Sequence, residues 1–441
     1  MKRIFYISSL SLFAMQSAIA MTLQIPHLPS AVLVTAGERL SDDGDYPDRY
    51  PLLAVSNDGR GELWAINPLP DFTRGNFESA SCTGSGSTAV CAAVGGDGIP
   101  LMAISFDGGN KWTKKEFDSL SLCGDHGRLE GVSCTGNGST AICAAAGYGK
   151  DSGHPIPLLT VSVDGGHTWT DKVIPKVIHG GYGAVSCSGN GATAICTAVG
   201  EQKRKEKENV LLVVSTDGGQ TWAQKPIDNF PTDVQYPWLE SVSCTGSDSN
   251  TTVCAAVGNY NDINGWRYFL VTSTNGGKTW ATKSVANYSE RNELDTVSCT
   301  GSGLTAVCVA GGYYGLAVST DGGNTWAAKS TANLEATAFI TSSCTGSGSA
   351  AICAAGGYGG LAVSTDGGNT WTPKSIGRDP IRAVNCTGSG PTAICTAAGD
   401  GYIAASTDGG NNWALKSISG LLPYSSFGTS GGNKSLRKMH H

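Results

Sequence analysis

Ser406-Thr407-Asp408-Gly409-Gly410-Asn411-Asn412-Trp413 is the last of seven copies of one short box, and the recurrence of that box decides the fold. The pattern is Ser-x-Asp/Asn-Gly-Gly-x-x-Trp, and its copies end at Trp112, Trp169, Trp222, Trp280, Trp326, Trp371 and Trp413. Ahead of each box stand two cysteines with eight or nine residues between them: Cys82/Cys91, Cys134/Cys143, Cys187/Cys196, Cys244/Cys254, Cys299/Cys308, Cys344/Cys353 and Cys386/Cys395. A period held along the whole chain marks a repeat architecture.

One compact unit, residues 382–417, reads as four short strands. Arg382-Ala383-Val384-Asn385-Cys386 is strand a, and Thr387-Gly388-Ser389-Gly390-Pro391 is a turn cluster. Strand b covers 392–398, Gly399-Asp400-Gly401 turns, and strand c follows over 402–407. The box makes a second tight turn into strand d, 413–418. Four antiparallel strands repeated every 42–58 residues or so predict the blades of a β-propeller. In the box, the Asp carboxylate can cap the backbone N–H groups of its own turn. The glycines allow φ > 0 where the chain reverses, and the Trp covers the gap between strands. Asn275 replaces the Asp in one copy, which suits a turn and not a catalytic carboxylate.

The two ends predict how the ring closes. Ala31-Val32-Leu33-Val34-Thr35-Ala36-Gly37 aligns with strand b at Ala393–Gly399, with Leu33 in the cysteine's place. A strand c over 52–56 and a stretched box, Ser56-Asn57-Asp58-Gly59 with Trp64 one place late, follow. Counted from Trp413, Ser425-Ser426-Phe427-Gly428 aligns with Ala383-Val384-Asn385-Cys386 as a surplus strand a. The ends together would make an eighth blade and leave no open edge. Seven blades with a loose N-terminal extension is the alternative.

The chain has 441 residues and a net charge of -6, which offers no general attraction for nucleic acid. Lys2 and Arg3, the apolar stretch 4–14 and Ala18-Ile19-Ala20 predict a secretory signal over 1–20. That stretch is shorter than the roughly 20 residues of a membrane span, and no later segment qualifies. A propeller over 21–432 and a tail over 433–441 complete the predicted organisation. Export to a secreted or periplasmic location suits fourteen of the fifteen cysteines pairing as seven local disulfides. Closing a ten-residue loop, as six of the seven would, is worth about 2.7 kcal/mol in the chain-entropy picture. Cys123 is left over.

The box resembles the Asp-box, or BNR repeat, of the sialidase-like β-propeller superfamily. The resemblance covers residues 52–413 or so, and it implies a family that includes sialidases, xyloglucanase-type endoglucanases, sortilin-type receptors and photosystem assembly factors. Sialidases add a Phe/Tyr-Arg-Ile/Leu-Pro motif and an arginine triad; this chain has no such motif. The resemblance also implies that the boxes sit away from the working face, leaving that role to the b–c and d–a connections.

The long insertions fall in those connections. The b–c insertions are 38–51, 148–157, 201–209 and 259–268, and the d–a insertions are 117–130, 173–183, 226–239 and 285–294. Tyr46, Arg49, Tyr236, Trp238, Tyr260, Trp266 and Arg267 are the candidate binding residues there, since aromatics and arginine suit sugar stacking or a protein hot spot. Asp42, Asp43, Asp45 and Asp48 could offer oxygen ligands to calcium, although the spacing is no EF-hand and no cofactor is expected. Lys203-Arg204-Lys205-Glu206-Lys207-Glu208 reads as a solvated loop. No G-x-S-x-G elbow, phosphate loop or H-E-x-x-H occurs. Glycosidase carboxylates would have to come from Asp125, Glu130, Asp233, Glu240, Asp295 or Asp379. The expectation is a secreted, non-enzymatic binding propeller that recognises a glycan or a protein. A glycoside hydrolase and an assembly factor for an exported complex are the alternatives.

Overall fold

A computed structural model describes residues 31–41, 48–116, 127–204, 207–231, 234–289, 292–330, 338–377, 380–422 and 425–427. They form eight sheets, each with four antiparallel strands, the blades of a closed propeller. Blade 2 shows the plan: strand a is Phe77–Thr83, b is Val90–Gly96, c is Pro100–Ser105 and d is Thr113–Lys114. Blades 3 to 8 begin with strands a at Arg128–Thr135, His179–Ser188, Gln235–Thr245, Thr296–Thr300, Ala338–Thr345 and Ile381–Thr387. Blade 1 is shared by the two ends. Leu33–Leu40, Arg49–Ser56 and Trp64–Ile66 are its strands b, c and d, and Ser425–Phe427 supplies strand a.

The box performs its mechanical task with directed bonds. In blade 4 the Ser215 hydroxyl donates to Asp217 Oδ1 (2.8 Å) and accepts the Gly219 N–H (2.8 Å). The Thr221 N–H and hydroxyl donate to the same carboxylate at 2.9 and 2.5 Å, and Trp222 Nε1 donates to Gly219 O at 3.1 Å. Burial alone would raise the Asp217 pKa, but these donors outweigh it and hold the carboxyl below its usual range. In blade 1 the backbone N–H groups of Arg60, Gly61, Glu62 and Leu63 all donate to Asp58 at 2.7–2.9 Å. The extra residue that delays Trp64 is thus wrapped around the carboxylate. The box turn bonds to the a–b turn of its own blade, as Gly218 N–H does to Ala194 O (3.1 Å). Boxes and a–b turns therefore share one face, and b–c and d–a connections share the other.

Seven disulfides form as paired in sequence, within blades and never between them: Cys82–Cys91, Cys134–Cys143, Cys187–Cys196, Cys244–Cys254, Cys299–Cys308, Cys344–Cys353 and Cys386–Cys395. Each joins residues directly opposite in the a–b ladder, as Cys344 and Cys353 are, with Cα atoms 4.1 Å apart. That is the spacing of a close, non-hydrogen-bonded pair. The two sulfurs of a pair are not equally placed. The strand b members, Cys91, Cys143, Cys196, Cys254, Cys308, Cys353 and Cys395, are shut off from solvent altogether, whereas their strand a partners keep some exposure. The strand b cysteines are therefore core and staple, and they offer no surface to a ligand. The neighbouring Ser and Thr stitch blades together. Cys187 N–H donates to Ser133 Oγ of the preceding blade at 2.9 Å, and Thr135 Oγ1 donates to Gly189 O of the following one at 2.7 Å. The same Ser contact recurs at Cys134, Cys244, Cys299, Cys344 and Cys386, so the inner strand of each of these blades has a partner for an edge N–H that would otherwise be unmade.

The core is a series of layers between blades. One layer packs Ile142, Ala144 and Val161 of blade 3 against Tyr182, Cys196, Val213 and Trp222 of blade 4. A second regularity, unread in the sequence, keys each layer. Five residues before the first cysteine stands a large apolar residue, and four after the second stands a glycine. Phe77 faces Gly95, Leu129 faces Gly147, Tyr182 faces Gly200, Leu239 faces Gly258, Phe339 faces Gly357 and Ile381 faces Gly399. Leu294 packs likewise against Gly312. A Cβ on any of these glycines would collide with the carbonyl before the large residue.

Blade 1 obeys this rule, with Phe427 facing Gly37. That corrects the alignment of the tail. Phe427 takes the place of Ile381, four residues earlier in the strand than the count from Trp413 suggests. The count fails because the link from Trp413 to Phe427 is longer than that from Trp371 to Ile381. Its surplus includes Ile418–Ser419, which runs parallel to Trp64–Ala65 as an outer fifth strand. Ile227–Asp228 and Val285–Ala286 cover the outer edges of blades 5 and 6 in the same way.

Candidate functional site

The b–c and d–a face is uneven. In blades 3, 4 and 5 strands b and c run nine or ten residues: Ile142–Asp151 with His154–Ser162, Ile195–Arg204 with Lys207–Ser215, and Val253–Asp262 with Gly265–Ser273. In blades 6, 7 and 8 they run five to seven. The b–c insertions of blades 3 to 5 are therefore not irregular loops. They continue the ladder without a break in register. The blade 3 hairpin closes on Ser152 (φ 48°) and Gly153 (φ 85°), the paired positive φ values of a tight type I′ turn. Three adjacent tall hairpins make a wall on one side of the face.

Inside that wall lies a ring of residues at the channel mouth. In each blade from 2 to 5, and in 7 and 8, the ladder shifts register just after the large apolar residue, leaving an extra residue unpaired. Those residues are Glu78, Glu130, Gly183, Glu240, Ile340 and Arg382; Asp295 holds the corresponding place in blade 6. Arg128 binds two of them. Its Nε lies 2.7 Å from Glu130 Oε1 and its guanidinium 3.2 Å from Glu78 Oε1. Burial would lower the pKa of Arg128, but the Glu130 and Glu78 carboxylates more than reverse this. Asn76 Nδ2 donates to the same Glu78 oxygen at 2.6 Å. On the other side of the wall Asn259 Nδ2 lies 3.2 Å from Glu240 and 3.1 Å from Asp295, while Leu294 N–H donates to Asn259 Oδ1 at 3.0 Å. Arg382 pairs with Asp400 at 2.8 Å, and Ser426 of the closing strand donates to Asp400 at 2.6 Å. These contacts join blade 2 to 3, blade 5 to 6 and blade 8 to 1.

The candidate binding residues scatter over this face. Tyr46 lies outside the described residues. Arg49 pairs with Glu38 at 3.4 Å; burial raises the Glu38 pKa, and Arg49 only partly offsets it. Trp238 lies against Gly183 at the mouth, where a glycine leaves room for its indole. Tyr236 beside it is exposed. Tyr260 stacks on Phe269 with centroids 4.5 Å apart and packs on the core between blades 4 and 5. Arg267 is bound to Asp262 at 2.6 Å across the hairpin, and Trp266 is half-buried next to it. Blade 5 thus carries five of the candidates, Tyr236, Trp238, Tyr260, Trp266 and Arg267, and the tip residue of its hairpin, Ile263, is fully exposed.

Of the candidate carboxylates, Glu130, Glu240 and Asp295 reach the mouth, whereas Asp125, Asp233 and Asp379 lie outside the described residues. Glu78, missed in the sequence, joins them; its signal was the residue type one place after the large apolar position. Cys123, Asp42, Asp43 and Asp45 also lie outside the described residues, and Asp48 is bound to Arg74 at 2.6 Å. Of the 203–208 run, Lys203 pairs with Glu208 and Arg204 with Lys207 in the blade 4 ladder rather than lying in a loop, and Lys205 and Glu206 lie outside the described residues. Among the described residues no group of three or more His, Cys, Asp or Glu is placed to hold a metal ion. Among them, too, no helix is long and apolar enough to cross a membrane.

The repeated box, its bonding and the eight blades define the class: the chain is an eight-bladed β-propeller that carries Asp-box (BNR) repeats. The BNR/Asp-box repeat family itself matches residues 213–224, the blade 4 box with its flanks. None of the curated proteins is similar in sequence. Among solved structures the chain is similar to YCF48 bound to D1 peptide, at 17% identity over 65% of this chain and 81% of that one (TM-score 0.39). It is similar to the GH74 xyloglucanase from Xanthomonas campestris, at 15% identity over 87% of this chain and 66% of that one (TM-score 0.42). It is also similar to Trypanosoma rangeli sialidase, at 12% identity over 69% of this chain and 56% of that one (TM-score 0.38). The match thus spans just under two thirds of the xyloglucanase and little more than half of the sialidase.

Proposed function

We propose that this protein is a secreted binding propeller, not itself an enzyme, that holds a glycan or protein partner on its b–c and d–a face. The observation that carries the reading is the one-sided growth of blades 3 to 5, with Tyr236, Trp238 and Trp266 gathered on the crest of blade 5. Rigid hairpins on a stapled scaffold present such side chains at little cost in ordering. The buried mouth carboxylates support binding over hydrolysis, because Glu78 and Glu130 are committed to Arg128 and Glu240 to Asn259. The signal expected over 1–20 supports export, and seven disulfides suit an oxidising compartment. Trp238→Ala and Trp266→Ala are expected to weaken partner capture by about tenfold each while the circular dichroism spectrum is unchanged. Turnover of polysaccharide or sialoside substrates that one mouth carboxylate variant abolishes would replace this reading with a hydrolase.

A further inference from the structure

The low b–c turns of blades 7 and 8 share one solution. Gly357-Tyr358-Gly359-Gly360 and Gly399-Asp400-Gly401-Tyr402 are two-residue turns that place a glycine third, at φ 94° and 73°. Blade 6 is built on the same frame, Gly312-Tyr313-Tyr314-Gly315, yet its third residue is Tyr314 at φ 70°. A bulky residue in the left-handed region is strained, and two sister blades show that glycine relieves the strain. The Tyr314 side chain returns little to the fold. It is 72% exposed, and the ring packed nearest it is Tyr313, with centroids 6.2 Å apart. The turn is held from below by Tyr288, whose hydroxyl lies 3.3 Å from Glu293 O and 3.5 Å from Gly315 O. Strain that persists under such bracing points to an outward use.

We infer that Tyr314, steadied by Tyr313, is a stacking platform for a sugar ring of a neutral glycan lying across the low rim of blades 6 to 8. This rests on the binding-face reading and selects the glycan over the protein partner. A phenol ring offers an apolar face to the C–H side of a pyranose and a hydroxyl to its rim. The turn Gly312-Tyr313-Tyr314-Gly315 itself contains no charged residue, which suits a neutral sugar.

The test uses the full chain with neutral cello-, xylo-, manno-, galacto- and chito-oligosaccharides, read by titration calorimetry beside a thermal melt. At least one series is expected to bind. Tyr314→Gly should weaken it by about tenfold or more while the melting midpoint holds or rises, because the strain is gone. Tyr314→Phe should bind within about threefold of the parent. Equal binding by Tyr314→Gly, a clear fall in its melting midpoint, or no binding by any series overturns the platform. The face and the platform separate cleanly: if Trp266→Ala loses a partner that Tyr314→Gly retains, the binding face stands and the platform falls.

Discussion

Blades 4 and 7 are the same object up to one glycine and different objects beyond it. Below Gly200 and Gly357 both carry a disulfide, a large apolar residue facing the glycine, and an Asp-box with its Trp in the layer against the preceding blade. Above the glycine, blade 7 turns back within three residues, whereas blade 4 extends its ladder to Arg204 and Lys207. Gln202 in that extension is buried and donates to Lys176 O at 3.0 Å, so the tall hairpin is braced by its own d–a connection. The lower half supplies closure and cohesion and is nearly invariant from copy to copy. The upper half varies freely, and the side chains offered to a partner lie there.

The sharpest way to break this division is to attack the shared half of both blades. Gly200→Val and Gly357→Val each force a side chain into a carbonyl, and each is expected to cost on the order of 4 kcal/mol or more in denaturant unfolding; tolerance in either blade would show that the keyed layer is not general. Removing the disulfide as a Cys187→Ala/Cys196→Ala or Cys344→Ala/Cys353→Ala pair should cost about 2–3 kcal/mol, and equally in both blades. Acid acts on both through their boxes. The Asp217 and Asp366 carboxyls are held below their ordinary range by donated hydrogen bonds that outweigh burial. Their folded pKa lies below the unfolded value near 3.9 or so, so their contribution is complete above that value and is lost as pH falls through the folded one. The thermal midpoint should therefore be flat above about pH 5 and fall below about pH 4, with a shallower fall in an Asp217→Asn/Asp366→Asn variant. The smallest effect belongs to the upper half. Trimming 202–208 to a two-residue turn like that of blade 7 should change stability by about 1 kcal/mol and register mainly in partner capture.

Most of the lower half was legible because seven copies repeat the same chemistry at the same spacing. The boxes, the disulfides and the strand shared by the two ends could all be read from it. The tail's register was misread because counting from Trp413 assumed a fixed link; the recurring large apolar residue and glycine would have placed Phe427 opposite Gly37. The upper half was legible only as extra length. Its hairpins looked like loops because Gly149, Pro155 and Pro157 interrupt the usual strand composition, although all three lie in the blade 3 ladder. The mouth pairs were hidden for a topological reason. Glu78 meets Arg128 and Asn259 meets Asp295 across a blade boundary, dozens of residues apart in the chain. The backbone cost at Tyr314 shows only when the turns of blades 6, 7 and 8 are laid side by side in three dimensions.

Every cysteine pair bridges residues nine or ten apart, whereas Ser425–Phe427 must find Leu33–Leu40 from the far end of the polypeptide. In a chain made from its N-terminus onward, each module can oxidise as soon as its own two thiols have emerged, with little chance of choosing a wrong mate. The circle itself stays an open arc until residues 425–427 are delivered. Its final seam carries no sulfur: Leu33 stands where the thiol would be, and Phe427, Arg382, Asp400 and Ser426 hold the join. A reductant would therefore loosen seven modules and leave the latch between first and last untouched.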